Sequence, residues 1–543
     1  MADATTLAAV LLLPAAGAAL VPFVRAPALA RTLALAVMLA VLAFALQAFM
    51  GFDGVADASG ANGANAANAA NAAARYALDV PWMPSLGVSL HFAVDGLNVY
   101  LLLLTALLFP AVLLCAWNTR EGESRLYLSL LLALQAGLLG TFLSQNLLVL
   151  FVLWEAALVP MVLLILVFGG PERKRAAITF FLYTMAGSVL FLAAVIVLGM
   201  QGLQQTGNWT FDLATLYRLN LGPRTQLFVF ASILLACFIK SPIFPFHSWL
   251  PLTYGQASPT GTALLAGVMS KMGAFGLIKL AVPLCPDVAA RAAPYIVLLA
   301  AASIVYGAVL ALRQTQYKQL VAYASLSHMG YIVLGVFSLQ ATGLHGALFQ
   351  ILSHGLAVAA LFLMLGLLDQ RRGAADAPIE ALATRAPRFA VLMMLFILAS
   401  LALPLSSGFT AEFMVLLGAF TKGLAAWRAN AGPGLLVGAL MAATGVVLGA
   451  TYMLRFARVL MYGNAGNAGN ANKAAPLADL RGREALALLP LLALILWVGI
   501  WPAPLMSKVD AAVLKLAQPA ALVMPTAGAP AQAAVTAGVL HGR

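Results

Sequence analysis

Charged residues are scarce in this chain of 543 residues, because Asp, Glu, Lys and Arg together make up only 9% of it. A water-soluble domain uses roughly a quarter charged residues to keep its surface in solution. Hydrophobic residues make up 63% of the chain, and its mean hydropathy is +0.97. The shortage of charge therefore excludes a large soluble domain and indicates a protein that lies in a membrane.

Cysteine is also rare, and this excludes two further classes of protein. The three cysteines, Cys115, Cys237 and Cys285, lie in or beside apolar segments without paired spacing. This predicts neither a disulfide framework nor a metal site. The net charge of +12 is scattered over short loops, so nucleic-acid binding is not expected either. No cofactor-binding or phosphate-binding motif is found, and we predict no metal or cofactor in this chain.

Apolar runs of about 20 residues recur along almost the whole chain, and each is long enough to cross a bilayer core. We therefore predict an all-α membrane protein with about fourteen transmembrane helices. The predicted ranges are 4–24, 29–51, 96–118, 125–145, 147–169, 176–200, 226–248, 256–282, 293–312, 319–338, 343–369, 388–421, 434–462 and 484–507. Only Asp3 is charged ahead of the first run, which favours a spanning helix over a signal peptide.

The basic residues predict the orientation of these spans. Eighteen Lys and Arg residues fall in one set of alternate loops and nine in the other set and the tail. The richer side is expected to be cytoplasmic, which places both termini on the outer, periplasmic side of a bacterial inner membrane. Two low-complexity segments, 60–74 in an outer loop and 464–472 in an inner loop, have the composition of spacers.

Six ionisable residues stand near the middle of predicted spans. They are Glu155, Lys240, Lys271, His328, His354 and Glu412. A charged group at mid-bilayer costs about 2.5 kcal/mol or more, so such groups face a polar cavity or a partner. The plainer alternative is structural, with salt bridges for the acids and lysines and interhelical hydrogen bonds for the histidines. Because Glu, Lys and His all exchange protons, the set together predicts a proton relay.

The stretch FIKSPIFPFHSWLP at 238–251 predicts a broken helix beside Lys240. Pro242 and Pro245 remove backbone donors, and freed carbonyls are tolerated in a membrane only where they line a polar cavity. A break here would hydrate the lysine. His247 follows seven residues later, near the same helix face, and would extend the path as an auxiliary residue.

A second interruption is predicted at LPLSSGF, residues 403–409, where Pro404 and Gly408 break the helix just before Glu412. The spacing from Glu155 to Lys240 is 85 residues, and from His328 to Glu412 it is 84. Each interval covers the same part of a five-span unit, and an odd number of spans inverts the second copy in the membrane. Inverted repeats with broken helices are typical of transporters.

These units divide the chain into four parts. Residues 1–118 would hold three spans and an outer low-complexity loop, and 119–282 the first five-helix repeat. Residues 283–463 would hold the inverted second repeat, and 464–543 an inner loop, the last span and an outer tail. Each repeat would form one half-channel. Near the end of its span Lys279 is expected to extend to the interface, and Asp95 to be solvated.

Five stretches carry a resemblance to a known family. They are WEAALVPM (154–161), KSPIFPFHSWLPLTYGQASPTGTALLAGVMSKMGAFGL (240–277), VAYASLSHMGYIVLG (321–335), QILSHG (350–355) and SGFTAEF (407–413). Together the chain resembles the antiporter-like membrane subunits of respiratory complex I along nearly its whole length. Within that family it is most similar to the kind with a glutamate at Glu412, where others carry lysine. Ala411 departs from the family pattern, which has Gly there. No long lateral helix is expected after the last span.

The resemblance implies a role for each of the six residues. Glu155 would pair with Lys240 and tune its proton affinity, and Lys271 would be the central relay. The two histidines and water would carry the proton to Glu412, the terminal donor to the outer side.

The resemblance also implies partners. The chain would be a proton-translocating subunit of an NADH:quinone oxidoreductase, driven by quinone reduction elsewhere and without redox chemistry of its own. Other membrane subunits would adjoin it, including an antiporter-like homologue on either side. FMN, iron–sulfur clusters and quinone would bind in partner subunits.

Three alternatives stay open at this point. An Mrp-type cation/proton antiporter subunit, or the membrane subunit of a proton-pumping hydrogenase, would share the relay and differ in partners. A purely structural spacer between pumping neighbours would tolerate neutralisation of Lys271.

Overall fold

The computed structural model describes residues 2–54, 76–372, 381–463 and 477–522, and the two low-complexity segments lie outside them. The longer helices are α1 (Ala2–Leu20), α2 (Pro27–Gly51), α3 (Val99–Ala116), α4 (Arg125–Leu143), α5 (Leu147–Phe168), α6 (Arg173–Thr206), α7 (Pro223–Lys240), α8 (Trp249–Gln256), α9 (Pro259–Leu284), α10 (Pro286–Arg313), α11 (Tyr317–Phe337), α12 (Ala341–Arg372), α13 (Pro387–Ser400), α14 (Ser407–Arg428), α15 (Gly434–Tyr462), α16 (Gly482–Ile500) and α17 (Ala503–Leu522). An antiparallel hairpin of β1 (Ala77–Met83) and β2 (Val88–Ala93) precedes α3.

The shorter elements are single turns. They are the α-helical turns Arg120–Glu123, Leu213–Leu216 and Leu382–Arg385 and the 3₁₀ turns Val21–Phe23 and Pro84–Leu86. Fourteen helices of the described chain are long and apolar enough to cross a membrane, and each overlaps one predicted range. The predicted all-α membrane fold with fourteen spans is therefore confirmed.

Helix ends are set by local sequence. Ser124 caps α4 by accepting a hydrogen bond from the Tyr127 amide, and Asn146 caps α5 through the amides of Leu148 and Val149. Such caps satisfy amide groups that have no partner within the helix. The short link between α4 and α5 is thereby fixed.

Three of the helices that carry predicted relay residues lie in the centre of the fold. The apolar windows of α9, α11 and α12 are 100%, 94% and 100% buried, whereas those of α1, α2 and α15 are 33% or less buried. Since the outer helices face lipid, α9, α11 and α12 form the core of the bundle. Ionisable groups on them are removed from the hydrocarbon.

Glycines bring α14 close to α12. A Cβ atom on Gly346 would lie 2.5 Å from the Val415 amide nitrogen, and one on Gly418 would lie 2.4 Å from the Gly343 nitrogen. Small residues allow helix backbones in a membrane to approach closely. This contact holds the α14 turn that carries Glu412 against α12.

Two helices are interrupted. Helix α7 ends at Lys240 and α8 begins at Trp249, and the residues between them, including Pro242 and Pro245, form turns. Between α13 and α14, residues 401–406 form a second set of turns that includes Pro404.

Gly408 was predicted to break the helix together with Pro404. It lies outside these turns and is the second residue of α14. A Cβ there would lie 3.0 Å from the Ala399 carbonyl, so the glycine lets α14 pack closely against the end of α13.

The last part of the chain differs from the prediction. Helix α16 ends at Ile500 rather than at 507, and α17 follows from Ala503, with Pro502 at the boundary. Helix α17 packs against α12. The sequence analysis assigned these residues to the end of the last span and an outer tail, whereas they form a separate 20-residue helix.

Candidate proton-transfer site

Lys271 lies at the centre of the site, on α9, with no exposed surface. Helix α9 is π-helical at Leu265–Met269, so the Ser270 amide bonds to the Leu265 carbonyl instead of to Ala266. The Ala266 carbonyl is thereby free to accept hydrogen bonds from the Lys271 ammonium and the Ser270 hydroxyl. The π turn thus creates a polar site inside an apolar helix.

His354 of α12 faces Lys271, with its Nδ1 atom 2.9 Å from Lys271 Nζ. An ammonium can only donate, so beside a charged Lys271 the Nδ1 atom is an acceptor and the proton of the neutral ring is on Nε2. The His354 side chain is buried, and its Nε2 atom has no hydrogen-bond partner among the described residues. The Nδ1 atom therefore contacts the lysine, and the Nε2 atom can form a further hydrogen bond.

His328 of α11 continues the line. Its ring centre lies 5.2 Å from that of His354, with 33° between the planes. Its Nδ1 atom is 2.9 Å from Glu412 Oε1, and its Nε2 atom is buried without a partner in the described part of the chain. In each ring, therefore, Nδ1 contacts the neighbouring lysine or glutamate, and Nε2 has no partner among the described residues.

Glu412 closes the line on α14 and is 6% exposed. Besides its contact with His328, it accepts a 3.1 Å hydrogen bond from Gln350 Nε2. Gln350 was not among the predicted site residues. Its position four residues before His354, on the same face of α12, was the signal in the sequence that could have identified it.

Glu155 and Lys240 are placed differently from the expectation that they pair directly. Lys240 Nζ lies 5.6 Å from the ring centre of Trp154, and within the described residues it has no hydrogen-bond partner. The Glu155 carboxylate accepts a hydrogen bond from Ser188 of α6. The Ser188 hydroxyl thus bonds to the Glu155 carboxylate, and the Trp154 ring lies against the Lys240 ammonium. The two charged groups do not form the expected ion pair.

The two lysines are neighbours through their backbones. The Ser241 hydroxyl, one residue after Lys240, donates to the carbonyl of Ser270, one residue before Lys271. A Cβ on Gly273 would lie 2.4 Å from the Cys237 carbonyl, so α7 and α9 touch here. The interruption after Lys240 is therefore fixed against the centre of α9.

His247, the predicted auxiliary residue, is separate from this line. Its ring packs against Tyr306 and Phe244, with ring centres 5.2 and 5.9 Å away. Its Nδ1 atom is buried and has no partner among the residues that the structure describes. His247 thus lies in the first interruption, packed against one aromatic ring of its own turn and one of α10.

Lys279 was expected to extend to the interface. Instead it is buried in an ion pair with Asp95. It also donates to Gln145 Oε1 at 3.0 Å, and these three residues line a cavity of about 530 Å³ near the ends of α3 and α9. Asp95 is not simply solvated, since it also accepts bonds from the backbone amides of Leu97 and Asn98. This cluster joins the segment before α3 and the link between α4 and α5 to α9, about 12 Å along α9 from Lys271.

A second pair missed from the sequence joins α17 to the bundle. His345 Nε2 on α12 lies 2.7 Å from Asp510 Oδ1 on α17. It could not be predicted because α17 itself was not predicted.

Comparison with known proteins shows which family this chain is similar to. Residues 144–429 match the family described as NADH:quinone oxidoreductase/Mrp antiporter, TM. NADH-quinone oxidoreductase subunit M of Rickettsia prowazekii is 35% identical over 424 residues, which cover 78% of this chain and 82% of that protein. NAD(P)H-quinone oxidoreductase chain 4 1 of Nostoc sp. is 35% identical over 445 residues, covering 82% and 80%.

Solved structures agree in fold. A chain of respiratory complex I from Thermus thermophilus with bound NADH matches with a TM-score of 0.81 at 32% identity, covering 95% of this chain and 99% of that one. A chain of the Mrp complex from Dietzia sp. matches with a TM-score of 0.79 at 20% identity, covering 96% and 98%, which shows the fold alone.

The fold and the buried line of titratable groups define an antiporter-like, multi-pass membrane protein. The chain belongs to the NADH:quinone oxidoreductase/Mrp antiporter family. The resemblance inferred from the motifs is confirmed, and so is the kind of member, since relatives with high coverage are named subunit M or chain 4.

Proposed function

We propose that this chain is a proton-translocating, antiporter-like subunit of an NADH:quinone oxidoreductase, the counterpart of subunit M. The observation that carries the proposal is the buried line Lys271, His354, His328 and Glu412, in which groups from four helices follow one another. A purely structural cluster would be expected to satisfy its polar atoms, yet both histidine Nε2 atoms in this line are without partners in the described chain.

The geometry supports proton transfer by tautomer exchange. His354 accepts a proton from Lys271 at Nδ1 and releases one from Nε2. His328 receives a proton at Nε2, directly or through water, and releases one from Nδ1 to Glu412 Oε1. The positive charge thus leaves the Lys271 ammonium, passes through each ring in turn and neutralises the Glu412 carboxylate, and each ring returns to its first tautomer by turning or by a second transfer.

Glu155 and Lys240 would load this line. Moving the Glu155 carboxylate from Ser188 to Lys240 would stabilise the ammonium, and moving it back would favour release of the proton towards Lys271. The backbone contact between Ser241 and Ser270 supports such coupling, because it joins the residues next to the two lysines. His247 would bind water in the first interruption.

The same proposal covers the architecture and the partners. Residues 119–282 and 283–463 would be inverted repeats forming two half-channels, and the matched interruptions support this division. Both termini would lie outside a bacterial inner membrane. Other membrane subunits would adjoin the chain, with an antiporter-like homologue on either side. FMN, iron–sulfur clusters and quinone would bind in partner subunits, and redox chemistry there would drive translocation here.

The test uses the assembled complex in sealed vesicles, with NADH oxidation and proton uptake measured together. Lys271→Ala and Glu412→Gln are each expected to lower proton translocation about a hundredfold or more, because each removes a proton-transfer group. Lys174→Ala, at an exposed position of α6, is the control and should translocate normally. Normal stoichiometry and turnover in both relay variants would refute the proposal.

The Mrp-type alternative is distinguished in the same vesicles. Sodium-dependent proton exchange without NADH oxidation would favour it, whereas the 35% identity with quinone oxidoreductase subunits favours the first function.

A further inference from the structure

Two arginines from different helices meet at the end of α3. Arg31, near the start of α2, donates a 2.5 Å hydrogen bond from Nη1 to the Trp117 carbonyl, and its Cζ atom lies 4.5 Å from the centre of the Trp117 ring. Arg483, the second residue of α16, donates from Nη1 to Asn118 Oδ1 at 3.1 Å. Because Trp117 and Asn118 are consecutive, both guanidinium groups lie on one short segment. We call Arg31 and Arg483 the arginine pair.

The arginine pair has no acidic partner in the described part of the chain. Neither guanidinium forms an ion pair with a described residue, and the Nε atom of each is buried without a hydrogen-bond partner there. The adjacent acid, Glu484, is instead 2.5 Å from Arg371 Nη2 and accepts a hydrogen bond from the Arg481 amide. A guanidinium has five N–H donors. The pair therefore presents two positive charges with most of their donors unused by the described residues.

The pair lies at the ends of three helices that are long and apolar enough to cross a membrane. Helix α2 begins at Pro27, α3 ends at Ala116 and α16 begins at Gly482. The ends of spanning helices lie at the level of the lipid head groups, where tryptophan is enriched, as Trp117 is placed here. The arginine pair is therefore at the depth of the lipid phosphates.

Apolar side chains follow the pair into the membrane on both helices. Leu486, one turn after Arg483 on α16, is 65% exposed, and Leu39, two turns after Arg31 on α2, is 46% exposed. Spacings of three and eight residues place side chains on the same side of a helix. A ligand with a phosphate group and apolar chains fits this arrangement, whereas a small free anion would leave the leucines uncovered.

The segment that holds the pair is fixed by its neighbours. A Cβ atom on Gly122 would lie 2.1 Å from the Ala116 carbonyl, so the turn Arg120–Glu123 packs directly on the end of α3. The Thr119 hydroxyl caps this turn by accepting a hydrogen bond from the Gly122 amide at 3.2 Å. A binding site that is already ordered loses less free energy when a ligand binds.

We infer that the arginine pair binds the phosphate group of an anionic phospholipid, whose acyl chains lie along α2 and α16. Guanidinium groups match the oxygens of a phosphate group in pairs, and basic pockets between spanning helices bind anionic head groups. The inference goes beyond the proposed function and does not depend on it, because the pair is at the membrane edge and the proton-transfer line is in the core of the bundle.

The experiment uses the assembled complex in phosphatidylcholine nanodiscs that contain a rising fraction of phosphatidylglycerol with a photoactivatable diazirine on one acyl chain. Labelled peptides of α2 and α16 are quantified by mass spectrometry, and phosphatidylcholine with the same chain is the comparison lipid. Wild type should be labelled about tenfold more by phosphatidylglycerol. Arg31→Gln and Arg483→Gln should each lower the apparent affinity for it about tenfold, since each removes hydrogen bonds between charged groups.

Arg175→Gln is the matched control. Arg175 is an exposed arginine at the start of another spanning helix, α6, but it already has a carboxylate partner, because its Nη1 atom is 3.1 Å from Glu172 Oε2. Its replacement should leave the labelling of α2 and α16 unchanged. An equal loss in this variant would mean that overall charge attracts the lipid, and the arginine pair would not be the site.

Three further outcomes would overturn the inference, and each is read in wild type, so it does not require that a variant assembles. Equal labelling by the two lipids would show that the site does not select an anionic head group. Loss of the phosphatidylglycerol label on addition of inorganic phosphate would assign the site to the free anion. Absence of any lipid label on α2 and α16 would show that a partner subunit covers this face.

Discussion

Gln350 donates a 3.1 Å hydrogen bond to Glu412 Oε1, the same oxygen that lies 2.9 Å from His328 Nδ1. The glutamine amide has no proton to give up under ordinary conditions, so it orients the carboxylate and does not carry a proton. Two side chains from different helices thus fix one oxygen atom at the end of the line.

The first prediction follows from this arrangement. In Gln350→Leu the carboxylate keeps only its contact with His328, and a hydrogen bond to a charged acceptor is worth about 1.5–3 kcal/mol. Proton translocation by the assembled complex should fall by about tenfold or more, measured as initial rate in vesicles. Gln370→Leu, at an exposed position of the same helix, should behave as wild type. Equal rates in both variants would contradict the role given to Gln350.

The second prediction concerns the contact between Ser188 and Glu155. In Ser188→Ala the carboxylate loses its partner on α6, so it should move towards Lys240 and hold the lysine in its charged form. Translocation should slow, and adding Lys240→Ala should cause little further loss because both changes block the same step. The measurement is a double-mutant comparison of translocation rates.

Ser129→Ala provides the control for that cycle, since the Ser129 hydroxyl donates to the Ala18 carbonyl on another part of the bundle. It should combine additively with Lys240→Ala. Additive losses for Ser188→Ala as well would show that the two sites act independently.

The third prediction is a pH dependence on the loop between α6 and α7. Burial alone would raise the pKa of Asp212, but hydrogen bonds from His91 and from the Thr215 amide and hydroxyl lower it below its ordinary value. A carboxyl with a lower pKa in the folded state stabilises that state above its ordinary pKa of about 4 and loses this effect as the pH falls further.

Asp212→Ala should therefore lower the unfolding temperature of the detergent-solubilised complex at pH 7, and the difference from wild type should shrink as the pH falls through about 4. Asp79→Ala, on strand β1, is the comparison. A difference that stayed constant between pH 7 and pH 3 would show that the ionised carboxylate is not what matters.

Much of this fold could be predicted because its evidence is local in the sequence. Long apolar runs identify fourteen spans, and prolines locate both interruptions, since each acts on its own segment. Four of the six mid-span ionisable residues do form one line. Their isolation in apolar segments was sufficient to identify them.

What sequence reasoning missed depends on distant partners or on local geometry. Lys279 looks solvated until Asp95, 184 residues away, is placed beside it. The Glu155 carboxylate accepts a hydrogen bond from a serine on α6 and does not pair with the expected lysine, and no local pattern in the sequence predicts this partner. Polar residues of helix α17, among them Lys508, Asp510 and Lys515, interrupt its apolar stretches, so a search for long apolar runs does not find it. The π turn before Lys271 is likewise invisible in the residue types.

The last prediction tests whether the line depends on close contact between α12 and α14. In Gly346→Ala the new Cβ would lie 2.5 Å from the Val415 nitrogen and 2.9 Å from the Ala411 carbonyl, and neither backbone atom can turn aside. The helices must separate, at a cost of about 1–3 kcal/mol, and Glu412 must move away from Gln350 and His328. Translocation should fall more than NADH oxidation, measured on the same vesicles. Gly449→Ala is the matched control, because the nearest atom to its Cβ, the Tyr452 hydroxyl oxygen, is 3.8 Å away. If the two glycine variants lose activity equally, helix propensity and not the α12–α14 contact explains the loss, and the line does not need that contact.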